Sequence, residues 1–396
     1  MEEEWVERLR GQFPVTSKAA FFDISYENCG ALYMEQAFEA YLRDKADLYP
    51  GMAKNGGGGK GNTVSVIADT RAKLAGFLHT ASAKNIAFTA NVCQAISLAV
   101  SGLTYQPGDN IVVGGMEHVS VLMPCLNLKR QGVECKIVGS GSDLLVTADD
   151  LLAAVDAHTR AVVVSYVQSC SGYRIDLKKL TEECHRRNIL VVTDAIQALG
   201  LIPVDVQKLG VDALAASGYK GMLAAEGMGV LYCSDAFLEQ LTPVFAGYNA
   251  AMTLDRNTYE ICCTDPLDAR KLEAGTVPFS SIYMMNAGLD QIQTIGMERI
   301  AAHISECFEM TQRGLCALGC RLAPALSKEE RCASFLVCTP DESKVARAFE
   351  ERGVYLSAGK PGYIRVSVAP FTNKTDIERL LAAAEECLPD SAKNYV

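Results

Sequence analysis

Hydrophobic and polar positions follow two periodic patterns along most of this chain. From about residue 85 onward, short apolar runs recur as NIAFTA, NIVVGG, ECKIVG, AVVVSYV, NILVVTD, DALAAS and GVLYCS. Runs of this kind are typical of strands that are buried on both faces of a mainly parallel sheet. The segments between them, such as CQAISLAVSGL, ADDLLAAVDAH and LKKLTEECHRR, carry apolar residues at helical spacing. The two patterns together predict a doubly wound α/β domain.

The pattern changes towards both ends of the chain. Before residue 85, the run VSVIADTRAKLAGFLH places Ile67, Leu74, Phe77 and Leu78 on one face of a predicted helix. After about residue 285, long helical patterns are interrupted by a few strands, including ASFLVC and YIRVSV. We therefore predict an N-terminal arm and large domain over residues 1–284, with a core at about 65–284, and a smaller C-terminal α+β domain over residues 285–396 that N-terminal residues join.

The stretch KNGGGGKGNTVS, residues 54–65, is the most glycine-dense part of the chain. A nucleotide-binding P-loop needs Gly, four free positions and then Gly-Lys-Ser/Thr. Here Lys54 stands at the first glycine position and Gly61 at the hydroxyl position, so the stretch lacks two groups that the P-loop requires. Similarly, the segment KIVGSGSDLL lacks the third glycine of the dinucleotide-binding fingerprint.

Composition narrows the classes of partner. The net charge of -10 and the pI near 5.2 argue against a nucleic-acid-binding surface and favour a small-molecule substrate. The start, MEEEWVERLRGQF, lacks the apolar run of a signal peptide, and no segment approaches the roughly 18 apolar residues that a membrane span needs. We expect a cytosolic protein with no membrane partner. Its 15 cysteines are then expected to be thiols, and their spacing does not complete a four-ligand zinc site.

A carboxylate and a lysine follow two of the predicted strands. Asp194 closes NILVVTD, and Lys220 follows DALAAS in the turn SGYKG. Ligands of open α/β sheets bind outside the carboxyl ends of the strands, so both side chains can reach one crevice. The pair fits pyridoxal phosphate, since a lysine forms a Schiff base with its aldehyde and a carboxylate keeps its pyridine nitrogen protonated. Taken singly, Asp194 can also be a helix N-cap and Lys220 an exposed turn residue.

The segment TDAIQALGLIPVDVQKLGVDALAASGYKG resembles the signature of class V pyridoxal-phosphate enzymes of fold type I, the superfamily of aminotransferases and cysteine desulfurases. Further motifs agree in order, namely FTANVCQAISLAV, GGMEHVSVLMPCLNLKRQGVECKIV, EGMGVLYC, RKLEAGTVPF and IRVSVAPFTNKTDIERLL. The resemblance covers nearly the whole chain. It implies the fold-type I architecture, pyridoxal phosphate as cofactor, and a homodimer whose protomers complete each other's active sites.

The resemblance also implies roles for individual residues around the cofactor ring. Lys220 would form the Schiff base and later move protons, so it is a predicted catalytic residue together with His118, which would stack on the ring. Asp194 would bind the pyridine nitrogen and Gln197 the phenolic oxygen. Tyr219 stands where desulfurases usually have a histidine, and it retains an O–H donor at that position.

The phosphate of the cofactor would be bound at the other end of this predicted site. Ser217 and the helix start at Val92 and Cys93 are the expected contacts, because a helix N-terminus favours anions. Many relatives carry Thr where this chain has Cys93, so a hydroxyl contact is replaced there. Thr276 would reach the phosphate bound by the partner subunit.

Three residues are predicted to bind the substrate. Arg365 in YIRVS resembles the clamp for an α-carboxylate, which a bidentate guanidinium suits. Ser169 lies near a position where relatives usually have asparagine. Lys60 belongs to the glycine-rich stretch, which we expect to act as a lid whose lysine meets an anionic or polar substrate tail.

The segment before the predicted clamp arginine bears on which reaction the protein catalyses. Cysteine desulfurases carry a sulfur-accepting cysteine shortly before the clamp arginine, and the segment YLSAGKPGYIRVS contains none, so Cys262 or Cys263 would have to replace it. We predict a C–S lyase that acts on a small amino acid by β-elimination. Transamination and epimerisation start from the same carbanion and stay open, as does a catalytically silent cofactor-binding protein.

Overall fold

The computed structural model describes residues 4–47, 62–141, 144–245, 252–263, 265, 267–273 and 275–388. The helices are α1 (Glu4–Arg10), α2 (Leu32–Asp47), α3 (Asn62–Phe77), α4 (Val92–Ser101), α5 (Val119–Asn127), α6 (Ala148–Ala154), α7 (Leu177–His185), α8 (Val206–Leu209), α9 (Asp235–Gln240), α10 (Phe279–Ile295), α11 (Met297–Ala317), α12 (Glu342–Glu350) and α13 (Lys374–Cys387). The strands are β1 (Ala20–Phe21), β2 (Ile86–Thr89), β3 (Asn110–Gly114), β4 (Glu134–Val138), β5 (Thr159–Ser165), β6 (Leu190–Asp194), β7 (Ala213–Ser217), β8 (Gly229–Cys233), β9 (Met252–Leu254), β10 (Ile261–Cys263), β11 (Leu322–Ala323), β12 (Ser334–Cys338), β13 (Val354–Tyr355), β14 (Ser357–Ala358) and β15 (Tyr363–Ser367).

The large sheet has seven strands in the order β2-β8-β7-β6-β5-β3-β4. Neighbouring strands are parallel except for β8, which runs antiparallel to both β2 and β7. The predicted mainly parallel α/β fold is therefore confirmed, and each predicted run forms one strand. The expectation that all of these strands are buried on both faces is wrong for β4. This strand forms the sheet edge, paired with β3 alone, and Ile137 on it is 51% exposed.

Helices cover the sheet on both faces and bury two hydrophobic cores. Successive residues of a strand point to opposite faces, so Val162 of β5 packs in one core while Val163 packs in the other. Both side chains are fully buried. Within the described parts of the chain, no helix is long and apolar enough to cross a membrane.

The C-terminal part forms a second, antiparallel sheet in the order β11-β12-β15-β14. N-terminal residues pack against this part, since β1 pairs in parallel with β13. Arg10 of α1 also forms a buried ion pair with Asp376 and donates a 2.7 Å hydrogen bond to the Phe371 carbonyl. The predicted domain boundary at residue 284 falls inside helix α10, and the division into two domains stays a prediction.

The parallel register brings the ends of three strands together. Ser165, the last residue of β5, is the direct partner of Asp194, the last residue of β6, and Asp194 is the partner of Ala215 in β7. Ser217 then ends β7, three residues before Lys220. Parallel strands end at the same edge of a sheet, so this edge collects the polar side chains that the sequence analysis selected.

Candidate active site

A narrow slot lies at the carboxyl ends of β5, β6 and β7. Six of the predicted cofactor residues line it: Val92, His118, Asp194, Gln197, Tyr219 and Lys220. Ser169, predicted from sequence to bind substrate, lines the slot as well. The structure therefore brings together residues that are up to 128 positions apart in the chain, counted from Val92 to Lys220.

Lys220 lines the slot and has only 8% of its surface exposed. Burial lowers the pKa of its amine, and the nearby Arg365 charge lowers it further, although Asp194 acts in the opposite direction. The backbone of Lys220 is fixed by Asn28, whose side-chain amide donates a 3.2 Å hydrogen bond to the Lys220 carbonyl. A buried amine with a lowered pKa has a larger neutral, nucleophilic fraction near neutral pH.

The turn that carries Lys220 packs tightly against the loop after β6. Gly200 has a φ of +79°, and a Cβ at this position would lie 1.9 Å from the Gly221 carbonyl oxygen. No residue with a side chain fits this contact without moving one of the two segments. Gly200 therefore helps to set the height of Lys220 above the sheet.

Asp194 faces the same slot and is 3% exposed. Its Oδ1 accepts a 2.9 Å hydrogen bond from the Ile196 amide, which holds the carboxylate in one orientation. Burial raises the pKa of Asp194, whereas the Ile196 hydrogen bond and the Lys220 charge lower it. A cationic group in the slot would stabilise the ionised form of this carboxylate.

Gln197 and His118 are each held in place by a hydrogen bond. The Gln197 side-chain amide donates a 2.8 Å hydrogen bond to the Ser25 carbonyl in the N-terminal arm. His118 is the N-cap of α5, and its Nδ1 accepts a 3.2 Å hydrogen bond from the Ser120 amide. Burial and the charges of Lys220 and Arg365 lower the pKa of His118, which favours the neutral form of its ring.

The start of α4 forms the other end of the slot. The Ser217 Oγ accepts a 3.1 Å hydrogen bond from the Val92 amide, and Asn91 caps the helix by accepting from the Gln94 amide. The first amides of a helix lack partners within it and favour anions. Cys93 is exposed in this first turn and is absent from the slot lining, so a contact of its side chain with the phosphate stays a prediction.

A second cavity of about 510 Å³ opens beside the slot, and Ser169 lines both. Arg365 lies in its wall. The guanidinium donates hydrogen bonds of 2.9 Å to the Ser169 carbonyl and 3.0 Å to the Ser357 Oγ, and it lies 3.6 Å from the Asp23 carboxylate. The Arg365 Nε is buried and has no hydrogen-bond partner among the residues that the structure describes. An unsatisfied cationic donor beside a cavity is suited to an anionic ligand.

Sequence reasoning missed several residues of these two cavities. Asp23 and Tyr26 come from the N-terminal arm, Cys170 follows Ser169, and Ser357 faces Asp23 and hydrogen-bonds to it. Nothing in the local sequence connects the arm with a strand near the C-terminus. Slot residue Asn91 did have a signal, since Asn after a strand and before an apolar helix is typical of an N-cap.

Four other predicted residues lie elsewhere or cannot be placed. Thr276 is exposed and is absent from the slot lining of its own chain. Cys262 is exposed on the β9–β10 hairpin and lines neither cavity. Lys60 lies outside the described residues, and so does the side chain of Cys263.

The residues of the slot fit pyridoxal phosphate. This cofactor offers an aldehyde, a pyridine nitrogen and a phosphate, which require an amine, a carboxylate and an anion site. Lys220 supplies the amine, Asp194 the carboxylate, and the Ser217–Val92 end the hydroxyl and helix amides. Lys220, Asp194 and Val92 line one slot, at the position where open α/β sheets bind ligands, and Ser217 is joined to it through the Val92 amide.

Comparison with known proteins decides the family. The family model for aminotransferase class V matches residues 40–380. The chain belongs to the aminotransferase class-V family. The predicted family is thus confirmed, and the chain is a pyridoxal-phosphate-dependent enzyme.

Individual relatives support the same family. A probable cysteine desulfurase of Methanothermobacter thermautotrophicus is 33% identical over 60% of this chain, and the chain spans 58% of the length of that relative. Among solved structures, a lysine mutant of C-DES with glycine covalently linked to its PLP cofactor has a TM-score of 0.85 and 21% identity, over 96% of this chain and 99% of C-DES. The cystine C-S lyase C-DES in complex with its product cysteine persulfide has a TM-score of 0.84 and 22% identity, and the match covers 96% of this chain and 100% of the C-DES chain. These structures confirm the fold.

Proposed function

We propose that this enzyme is a C–S lyase that eliminates the sulfur substituent of a small amino acid. The observation that carries the proposal is the junction of the two cavities at Ser169. An amino acid whose carboxylate binds Arg365 has room there to extend its α-carbon towards Lys220. The names of the relatives favour sulfur chemistry, since they include a probable cysteine desulfurase and a cystine C-S lyase.

The side chains then divide the work of the reaction. Bound pyridoxal phosphate supplies an electron sink for the carbanion at the α-carbon. Lys220 accepts the α-proton, because its lowered pKa makes the amine a base near neutral pH. Asp194 would hold a proton on the ring nitrogen of the bound cofactor, and Arg365 would bind the α-carboxylate of the substrate. The Cβ–S bond then breaks, and the sulfur leaves with the bonding electrons and takes up a proton.

The fate of the sulfur follows from the thiols near the cavity. Cys262, one of the two thiols considered in place of the cysteine that YLSAGKPGYIRVS lacks, lies on an exposed hairpin and lines neither cavity. Cys170 does line the larger cavity, but burial raises the pKa of its thiol in spite of the charges of Lys360 and Arg365. A protonated thiol is a poor nucleophile. We therefore infer that the sulfur is released into solution as the protonated leaving group and is not transferred to the protein as a persulfide.

Product analysis tests this proposal. The purified holoenzyme is incubated with L-cysteine and, separately, with L-cystine, and pyruvate, ammonia, sulfide and alanine are measured. Elimination gives pyruvate and ammonia in equal amounts and leaves the protein mass unchanged. Alanine as the product would mean desulfuration, a pyridoxamine form would mean transamination, and a D-amino acid would mean epimerisation. Lys220→Ala should abolish the elimination.

We further propose a cytosolic homodimer with shared active sites. Thr276 supports this arrangement, because it is exposed and is not among the residues that line the slot of its own chain. In a shared site it would reach the partner's phosphate. The Lys220→Ala and Thr276→Val variants should each have little or no lyase activity alone. Mixing them should restore activity, because in a hybrid dimer one site combines Lys220 of one protomer with Thr276 of the other. No recovery after mixing would contradict the shared site.

A further inference from the structure

A carboxyl group that the proposed reaction does not use lies directly behind the slot. Glu117 is 7% exposed and sits in the turn between β3 and α5, next to His118. Its Oε1 accepts a 2.9 Å hydrogen bond from the Ser165 amide, and its Oε2 contacts the Ser165 hydroxyl. Gly114 leaves room for this group, since a Cβ there would lie 3.3 Å from the Glu117 Oε1.

Ser165 connects this buried carboxyl with the cofactor slot. It ends β5 beside Asp194 at the end of β6, and directly paired residues of neighbouring strands project on the same face of the sheet. Ser165 lines the slot together with Asp194, whereas Glu117 does not. Ser165 therefore contacts the buried carboxyl of Glu117 directly and is the strand partner of the buried Asp194, which lines the slot beside it.

The two carboxyl groups cannot both be ionised at low cost. Burial raises the pKa of Glu117 to about 7, and the charge of Asp194 raises it while the Ser165 hydrogen bonds lower it. Burial raises the pKa of the Cys125 thiol of α5 well above its ordinary value, and the charge of an ionised Glu117 raises it further. Asp194 has the opposite charge of Lys220 to stabilise its ionised form, so Asp194 ionises first.

We propose that Glu117 is a positioning residue whose neutral acid form donates its proton to the Ser165 hydroxyl, which turns the Ser165 O–H towards the slot and leaves Asp194 as the ionised carboxylate there. The orientation follows from the hydrogen-bond inventory. A protonated Glu117 donates through Oε2, so the Ser165 oxygen accepts this bond and its own hydrogen is free for the slot. An ionised Glu117 would take that hydrogen instead.

The first test measures the protonation of Glu117 without the cofactor, so its outcome is independent of the proposed function. Infrared difference spectra between wild type and Glu117→Gln are recorded on the apo protein at about pH 6 and about pH 9. We expect the carbonyl stretch of a protonated carboxyl at the lower pH and a carboxylate signal at the higher pH. The matched control is Glu273→Gln, because Glu273 is also buried, at 5% exposure, but lies 2.8 Å from Arg71; its difference spectrum identifies the bands that replacement of any buried carboxyl produces. A carboxylate signal from Glu117 at about pH 6 would overturn the proposal.

The second test measures the affinity for pyridoxal phosphate by titration of the apo protein. Glutamine retains one acceptor and one donor, so Glu117→Gln should bind within about twofold of wild type at about pH 6. Ser165→Ala and Glu117→Ala should both weaken binding about tenfold, through a lost donor or a misplaced hydroxyl. A strong loss in Glu117→Gln at this pH would mean that the anion is required, which contradicts the proposal. If wild type itself does not bind pyridoxal phosphate, the proposed function fails, and the infrared result still decides the state of Glu117.

Discussion

Replacement of Arg365 by lysine is the substitution that most directly separates substrate binding from cofactor binding. Arg365 forms two hydrogen bonds and one ion pair within the wall of the larger cavity, and its Nε has no partner among the described residues. A lysine keeps the positive charge but has no planar fork for a carboxylate. The variant therefore loses one of two charge-assisted hydrogen bonds to the substrate carboxylate.

The expected magnitude follows from that loss. A hydrogen bond to a charged group contributes about 2 kcal/mol, which corresponds to about a thirtyfold change in affinity. We expect KM to rise about thirtyfold in Arg365→Lys, with a smaller change in kcat, because the slot around Lys220 is unchanged. The absorbance spectrum of the bound cofactor should match that of wild type.

The assay is pyruvate formation over a range of L-cysteine concentrations, with Arg331→Lys as the control. Arg331 is buried to nearly the same extent as Arg365, with 10% against 12% of the side chain exposed. It forms a 2.6 Å ion pair with Glu309 and lines neither cavity. Arg331→Lys should leave KM unchanged. The reasoning is refuted if Arg365→Lys also leaves KM unchanged, or if both variants raise it equally.

Three further predictions concern the cofactor and stability. Ser217→Ala removes the acceptor of the Val92 amide and should weaken pyridoxal-phosphate affinity about tenfold in apo-protein titration; wild-type affinity would exclude the hydroxyl from the phosphate end. Gly200→Ala places a Cβ where a carbonyl oxygen lies and should lower both the melting temperature and the yield of holoenzyme; an unchanged melting temperature would contradict the tight contact. Asp212 raises the pKa of His185, so the pair of protonated His185 with Asp212 stabilises the fold. This stabilisation is complete below the ordinary pKa of histidine and is lost as the pH rises above the raised pKa. His185→Gln should destabilise by no more than about 1 kcal/mol at about pH 5.5 and not at about pH 9 in urea denaturation, since the pair is partly exposed; an equal loss at both pH values would refute the linkage.

The sequence predicted the sheet well because its strands are apolar at nearly every position. Strands β5 and β6 show this clearly, with Val162 and Val163 fully buried in opposite cores. The same reasoning failed for β4, because ECKIVG has apolar residues whether the strand is central or at an edge. Edge position depends on which strands pair across the sheet, and a local pattern does not contain that information.

The site was predictable where its residues follow strands and unpredictable where distant segments meet. Asp194 and Lys220 follow β6 and β7, so the sheet alone brings them to one edge. Asp23 reaches Ser357 across 334 positions of sequence, through a two-residue pairing of β1 with β13. Neither partner carries a local signal for that contact. Glu117 was equally hidden, because only the fold shows that its carboxyl is buried against Ser165.

The central claim is that Lys220 is the amine that binds pyridoxal phosphate. The most direct measurement is the visible absorption spectrum of the purified protein before and after borohydride reduction, followed by peptide mapping of the reduced label. A second buried lysine provides an internal control, since Lys271 is 2% exposed and donates a 2.6 Å hydrogen bond to the Leu238 carbonyl outside the slot. The account predicts a visible band that reduction abolishes, with the label on the Lys220 peptide and none on the Lys271 peptide. No band after addition of pyridoxal phosphate, or a label on another lysine, would contradict it.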